Sequence, residues 1–133
     1  MSQCLYLVTL QLRKDHFVGG ASAQLRLGVD TVDLEVSGNV TGTRLEGTQF
    51  PQQFNGAVNG GYHDLNKDPE KRVVVVHGRV VEESRGGQPS AHLNSFTALL
   101  RVNTQWEGTA QFWIGDAEYP CDVTQLRVPE PAE

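Results

Sequence analysis

An all-β fold, organised as a small closed antiparallel barrel of about eight strands, is what this 133-residue sequence predicts. Three observations carry the expectation. Apolar residues recur with a period of two along most of the chain, the spacing that places them on one face of a strand. No window sustains the 3.6-residue period of an amphipathic helix over three turns. The 14 glycines fall within or between the alternating runs, where they permit the bends of a tightly curved sheet. A meander of eight strands can close on itself and lose its edges, whereas an open sheet leaves edges that invite aggregation. A β-sandwich is the architectural alternative, because periodicity by itself does not separate the two.

The elements follow in order. Tyr6, Val8, Leu10 and Leu12 alternate with polar residues in a first strand, and Ala23, Leu25, Leu27 and Val29 do so in a second. Val32, Leu34 and Val36 open a third, which runs toward Leu45; only Asp30 and Thr31 separate it from the second, so the two form a hairpin. A glycine-rich strand over 54–62 points Phe54, Gly56, Val58, Gly60 and Tyr62 one way. Residues 63–72 form a polar connection with a turn at Asp68-Pro69, the one place where a short helix is conceivable. The strand over 72–83 is dense in β-branched residues and apolar on both sides at Val73, Val74, Val75 and Val76. Residues 83–90 read as a flexible loop. Phe96, Ala98, Leu100 and Val102 then face Trp106, Gly108, Ala110, Phe112 and Ile114 across a tight turn at 103–105, and a last strand spans 119–128. One domain occupies 1–133, with 129–133 a short flexible tail beginning at Pro129.

Charge narrows the function classes. A net charge of −5 argues against nucleic-acid binding, which needs a basic excess or stripe to meet phosphates. No run approaches the roughly 18 apolar residues of a membrane-spanning helix, and no basic amphipathic helix points to a membrane surface. The opening MSQCLYLVTLQLRKD lacks both the positive region and the continuous apolar core of a secretory signal, so a cytoplasmic protein is expected. Cys4 and Cys121 are too few for a disulfide scaffold. Two small buried side chains are expected, with a bridge between first and last strands as the alternative.

Catalytic patterns are missing. His16, His63, His77 and His92 lie in separate segments without metal-ligand spacing, and no metal or other cofactor is expected. His63-Asp64 has no nucleophile elbow beside it. The glycines of FNGAVNGGYH lack the Gly-Lys-Ser/Thr of a phosphate loop, and Asp116 and Glu118 flank a turn as solvated carboxylates do.

Residues 92–115, HLNSFTALLRVNTQWEGTAQFWIG, carry a resemblance. Asn94, Leu99-Leu100-Arg101, Trp106, Gly108-Thr109-Ala110 and Phe112 resemble the late hairpin of an uncharacterised bacterial domain family with a streptavidin-like fold. The opening LYLVTLQL and the VSG at 36–38 sit in comparable places. The resemblance implies a streptavidin- or lipocalin-like barrel and no assigned activity. RVNTQW is also similar to a fragment of avidin-type proteins, whose sites combine several tryptophans with polar groups on early strands. Only Trp106 and Trp113 are present here and the early polar set has no counterpart, so this likeness speaks for shape and not for biotin.

Two groups of residues remain as candidates. Phe96, Trp106 and Phe112 read as core, since small barrels fill their interiors. The bolder alternative lines a barrel mouth with Trp106 and Tyr62 and gives them Arg101 or His77 as polar partner for a small ligand. Trp113 and Leu99 fall on the opposite phase to their core-facing neighbours, and with Val73 and Val75 they predict an outer face buried by a second subunit. The expected function is therefore a non-catalytic, self-associating barrel with a small-molecule ligand as a further partner. A small barrel enzyme of cyclase or isomerase type is the alternative, and it requires an open cavity. An accessory protein would instead show an apolar outer patch without one.

Overall fold

The structure, a computed structural model, describes residues 5–14, 20–45, 52–65, 71–84 and 90–126. Eight strands follow one another: β1 (Leu5–Arg13), β2 (Gly20–Asp30), β3 (Glu35–Leu45), β4 (Gln52–Asp64), β5 (Arg72–Ser84), β6 (Ser90–Val102), β7 (Gly108–Ile114) and β8 (Ala117–Leu126). Each pairs antiparallel with the next, and β8 returns to β1 through Thr9–Arg13 against Asp122–Leu126. The sheet is a closed barrel, which excludes the sandwich.

The alternating residues do what their phase predicts. Val8, Leu10, Leu12, Leu25, Leu27, Val40, Phe54, Val58, Phe96, Leu100 and Phe112 all project into the barrel and are buried. Inward-facing glycines sit directly beside bulky inward residues on the next strand: Gly60 beside Val36 and Val76, Gly56 beside Val40 and Val80. At Gly60 an added Cβ would stand 1.8 Å from the Val75 carbonyl oxygen and 2.9 Å from the Val76 Cα. The strands coil so sharply there that no side chain fits between them, and the neighbouring valine fills the space.

Turn chemistry overrides phase in two places. Val32 and Leu34 do not belong to β3. The Asp30 carboxylate accepts the Val32 and Asp33 amide hydrogens at 2.9 and 3.2 Å, closing a four-residue turn with Leu34 at φ 57°. Both side chains are consequently exposed. Trp106 likewise precedes β7 instead of opening it. Asn103 organises this turn, its side-chain oxygen accepting from the Gln105 and Glu107 amides and its carbonyl from the Trp106 amide. β6 begins three residues and β8 two residues earlier than the pattern suggested. Of the loop expected at 83–90, Glu83 and Ser84 end β5 and Ser90 opens β6, and of the connection expected at 63–72, His63 and Asp64 end β4 and Arg72 starts a strand and not a helix; the Asp68-Pro69 turn, residues 85–89 and the tail at 129–133 lie outside the described residues.

Gly60→Ala should therefore lower unfolding stability by about 2 kcal/mol or more. Gly28 faces outward, and a Cβ there would meet nothing closer than 3.6 Å. Gly28→Ala should stay within about 0.5 kcal/mol of wild type. Urea unfolding of both variants reads the contrast, and equal midpoints would contradict the close strand approach at Gly60.

Candidate functional site

Both barrel ends and one outer face carry the side chains of interest. At one end the turn between β6 and β7 folds the Trp106 ring over the core. Its backbone takes φ 61°, a conformation costing a bulky residue about 1–2 kcal/mol. Burial of the indole offsets that cost, since Trp106 is only 2% exposed. The indole packs edge-on against Tyr62 at 6.0 Å and donates to the Tyr6 hydroxyl at 3.2 Å. Arg72 lays its guanidinium 5.0 Å from both the Tyr62 and Trp106 ring centroids, a cation–π contact on two faces. Asp64 holds that guanidinium by two hydrogen bonds, 2.6 Å from Nε and 3.2 Å from Nη2.

The expected set of Trp106, Tyr62, Arg101 and His77 thus converges only in part. Trp106 and Tyr62 meet, but Arg101 and His77 point outward from β6 and β5 and lie on the barrel exterior. The cation on the rings is Arg72. Its phase, shared with the inward Val74, Val76 and Val80, was the signal for it. The hydrogen bonds from Arg72 hold the Asp64 carboxyl below its usual range, and the same bonds raise Arg72 against the opposing effect of burial. Burial, followed by the neighbouring Tyr6, raises Tyr62.

At the other end a charge sits inside the barrel. Glu82 is 1% exposed and is the one buried charged residue among those described. Its Oε2 accepts from Arg44 Nη2 at 3.1 Å and from Asn94 Nδ2 at 3.2 Å, and lies 2.8 Å from His92 Nε2. Arg44 Nε is 2.6 Å from Oε1 but off the hydrogen-bond axis, so that contact is Coulombic. Arg44 Nη1 donates in turn to the Tyr119 hydroxyl at 3.2 Å. Four strands, β3, β5, β6 and β8, are tied together by this network. Below it a ladder of tilted rings, Phe54, Phe96, Phe112 and Tyr119, runs at centroid separations of 6.2, 5.9 and 5.3 Å. From sequence, Arg44 and Glu82 carry no role, His92 is only one of four scattered histidines and Asn94 only a point of family resemblance, although each occupies an inward phase at a strand end.

The outer face of β5, β6 and β7 gathers the other expected set. Val75 lies across from Leu99, Val73 across from Arg101, and Trp113 across from Thr97. Val75 is 42% exposed, and Val73, Leu99 and Trp113 are half-buried. A groove of about 280 Å³ runs between Leu99, Arg101, Gln111, Asp122 and Lys14. A second, of about 530 Å³, is bordered by Val73, Arg101, Leu65 and Glu107. Leu5 and Leu7 on the outside of β1 are more exposed still, at 71% and 85%.

A family model described as a domain of unknown function (DUF1842) matches residues 3–118. The chain belongs to this family. No curated protein matches it. Among the described residues no group of three or more His, Cys, Asp or Glu side chains could hold a metal ion, and no helix is long and apolar enough to cross a membrane. His16 and Cys4 lie outside the described residues. Cys121 is free and buried, its thiol 3.6 Å from the Ala110 carbonyl oxygen. Burial, with Asp122 adding to it, pushes that thiol up to about 12, far from the thiolate that nucleophilic chemistry requires.

Two stability predictions follow from the ends. Glu82→Leu strands the largely buried Arg44 guanidinium and should cost about 3–5 kcal/mol, whereas Arg44→Met combined with Glu82→Leu should cost less than Glu82→Leu alone. A urea double-mutant cycle measures the coupling, and simple additivity would refute it. For Asp64 the native carboxyl titrates below its unfolded value. Its stabilisation is complete above the ordinary carboxylate value of about 4 and is lost as pH falls through the lowered native value. Asp64→Asn should remove that part of the acid loss in thermal melts taken across the range.

Proposed function

We propose that this protein is a non-catalytic barrel that acts through self-association, its outer face of β5, β6 and β7 covered by a second copy. The observation that carries this reading is an outer face on which Val75 pairs with Leu99, Val73 lies two residues along β5 and Trp113 sits diagonal to Leu99 on β7, on a barrel whose described core is its own buried side chains. A half-buried tryptophan on an outer sheet face that also carries aliphatic residues is the kind of surface that subunit contacts use. The filled interior counts against a cyclase- or isomerase-type enzyme, which would need space beside a titratable group. At the Glu82 end the carboxylate is occupied by Arg44, Asn94 and His92. At the Trp106 end the cation is occupied by Asp64 and two rings. A small-molecule ligand, the further partner in this reading, would sit at the edge of that contact, in the groove of about 530 Å³ where Leu65, Asn103 and Glu107 border Val73 and Arg101, a volume within the usual range of ligand sites. The likeness of residues 92–115 to a streptavidin-like bacterial family supports a kinship with that fold and a bacterial origin.

Size-exclusion chromatography with light scattering should return at least twice the 14.6 kDa chain mass at micromolar concentration. Trp113→Lys should weaken association roughly tenfold or more. Leu7→Lys, on the far more exposed surface of β1, should leave it unchanged. A monomeric wild type, or sensitivity to Leu7→Lys in place of Trp113→Lys, would overturn the reading.

A further inference from the structure

The outer surface of β6, β7 and β8 is a grid of three rows set by strand register. One row is Thr97, Trp113 and Glu118; the next is Leu99, Gln111 and Pro120; the third is Arg101, Thr109 and Asp122. Each row has β7 in the middle, β6 on one side and β8 on the other. The two flanks match chemically in each row. Arg101 is level with Asp122, opposite in charge. Leu99 is level with Pro120, both apolar. Thr97 is level with Glu118, a hydroxyl donor with a carboxylate acceptor.

A two-fold axis in the plane of a face-to-face contact, lying along β7, exchanges these flanks and leaves each row at its own level. Arg101 of one copy then meets Asp122 of the other, and Asp122 meets Arg101, so the ion pair forms twice. Leu99 meets Pro120 and Thr97 meets Glu118, also twice. Residues of β7 meet themselves: Trp113 stacks on its own copy, and the Gln111 amide, both donor and acceptor, can pair with another Gln111. An axis along β6 instead brings Leu99 and Arg101 each onto its own copy, and Arg101 on Arg101 is repulsive. An axis along β8 similarly opposes Glu118 to Glu118 and Asp122 to Asp122. Among axes along these three strands, charge therefore selects β7.

The groove of about 280 Å³ fits the same arrangement, because it lies where short Thr109 separates Arg101 from Asp122 and leaves room for side chains arriving from the other copy. Arg101 and Asp122 are both exposed, so each can reach outward. We infer that the protein forms an isologous dimer about a two-fold axis along β7, with Arg101 of each copy paired to Asp122 of the other. This rests on the self-association proposed above and specifies which copy surfaces meet and in what register.

Charge exchange tests the pairing. Arg101→Glu and Asp122→Arg should each raise the dimer dissociation constant roughly fivefold or more, and the combined variant should recover most of the loss. Arg13 lies directly across from Asp122 within the chain, so Asp122→Asn and thermal melts accompany the series to separate association from folding. Face-to-face sheets stand about 10 Å apart, beyond disulfide reach, so a short bis-maleimide is the suitable probe of the axis. With Cys4 replaced by serine, Gln111→Cys should cross-link efficiently to its own copy, whereas Ala57→Cys, on the exposed outer side of β4, should not. Light scattering that shows a dimer without charge-exchange recovery or Gln111→Cys cross-linking would overturn this geometry and leave self-association standing. A monomer by light scattering would remove both.

Discussion

Closing eight strands into a narrow barrel requires more curvature than a uniformly substituted sheet can take. Here the curvature is localised where an inward glycine lies beside a bulky inward neighbour, as at Gly60 between Val36 and Val76. The missing Cβ lets the backbone of one strand approach its neighbour, and the valine occupies the volume that the glycine leaves. The rest of the molecule depends on this exchange of volume. Without it the β1–β8 seam could not close over Thr9–Arg13, and the inward rings from β4, β6, β7 and β8 would not meet.

The described interior of this barrel is lined by the chain's own buried side chains. Its two ends solve the same problem with different chemistry. One end is covered by an aromatic pair under a guanidinium, whose charge is met by Asp64 at the rim. The other is crossed by an ionic network that reaches from Arg44 to Tyr119 through the fully buried Glu82. A buried carboxylate is costly unless charged donors surround it, and Glu82 is met by Arg44 from β3 and by Asn94 and His92 from β6. Both ends are engaged by the chain's own groups, while exposed apolar side chains lie on the outer surface, at Val75 on β5 and at Leu5 and Leu7 on β1.

Phase along a strand was readable from local sequence, and it was reliable well inside each strand. Leu10, Leu25, Phe54, Val74 and Phe112 all face inward as their spacing required. It failed at Val32 and Leu34, where the Asp30 carboxylate accepts from nearby amides and turns the chain out of alternation; Trp106 is buried as expected, but it reaches the core from the turn whose amides donate to Asn103 and not from β7. The same phase carried unused information. Arg101 shares the outward phase of Leu99, and His77 that of Val75, so neither was suited to a barrel interior. Arg72, Glu82 and Asn94 share the phase of core residues, which marked them as the polar groups facing inward.

The sequence by itself therefore determined the strand class, the approximate strand count, the inward and outward sets, and the outward position of Trp113 and Leu99. These are properties of a two-residue period and of turn residues, both local. Only the tertiary structure decided which distant strand ends meet: Arg44 with Glu82 and Tyr119, and Arg72 with Tyr62 and Trp106. Those contacts depend on closure and on register between strands, and register follows from turn geometry and coiling summed around the barrel. No single segment contains that information.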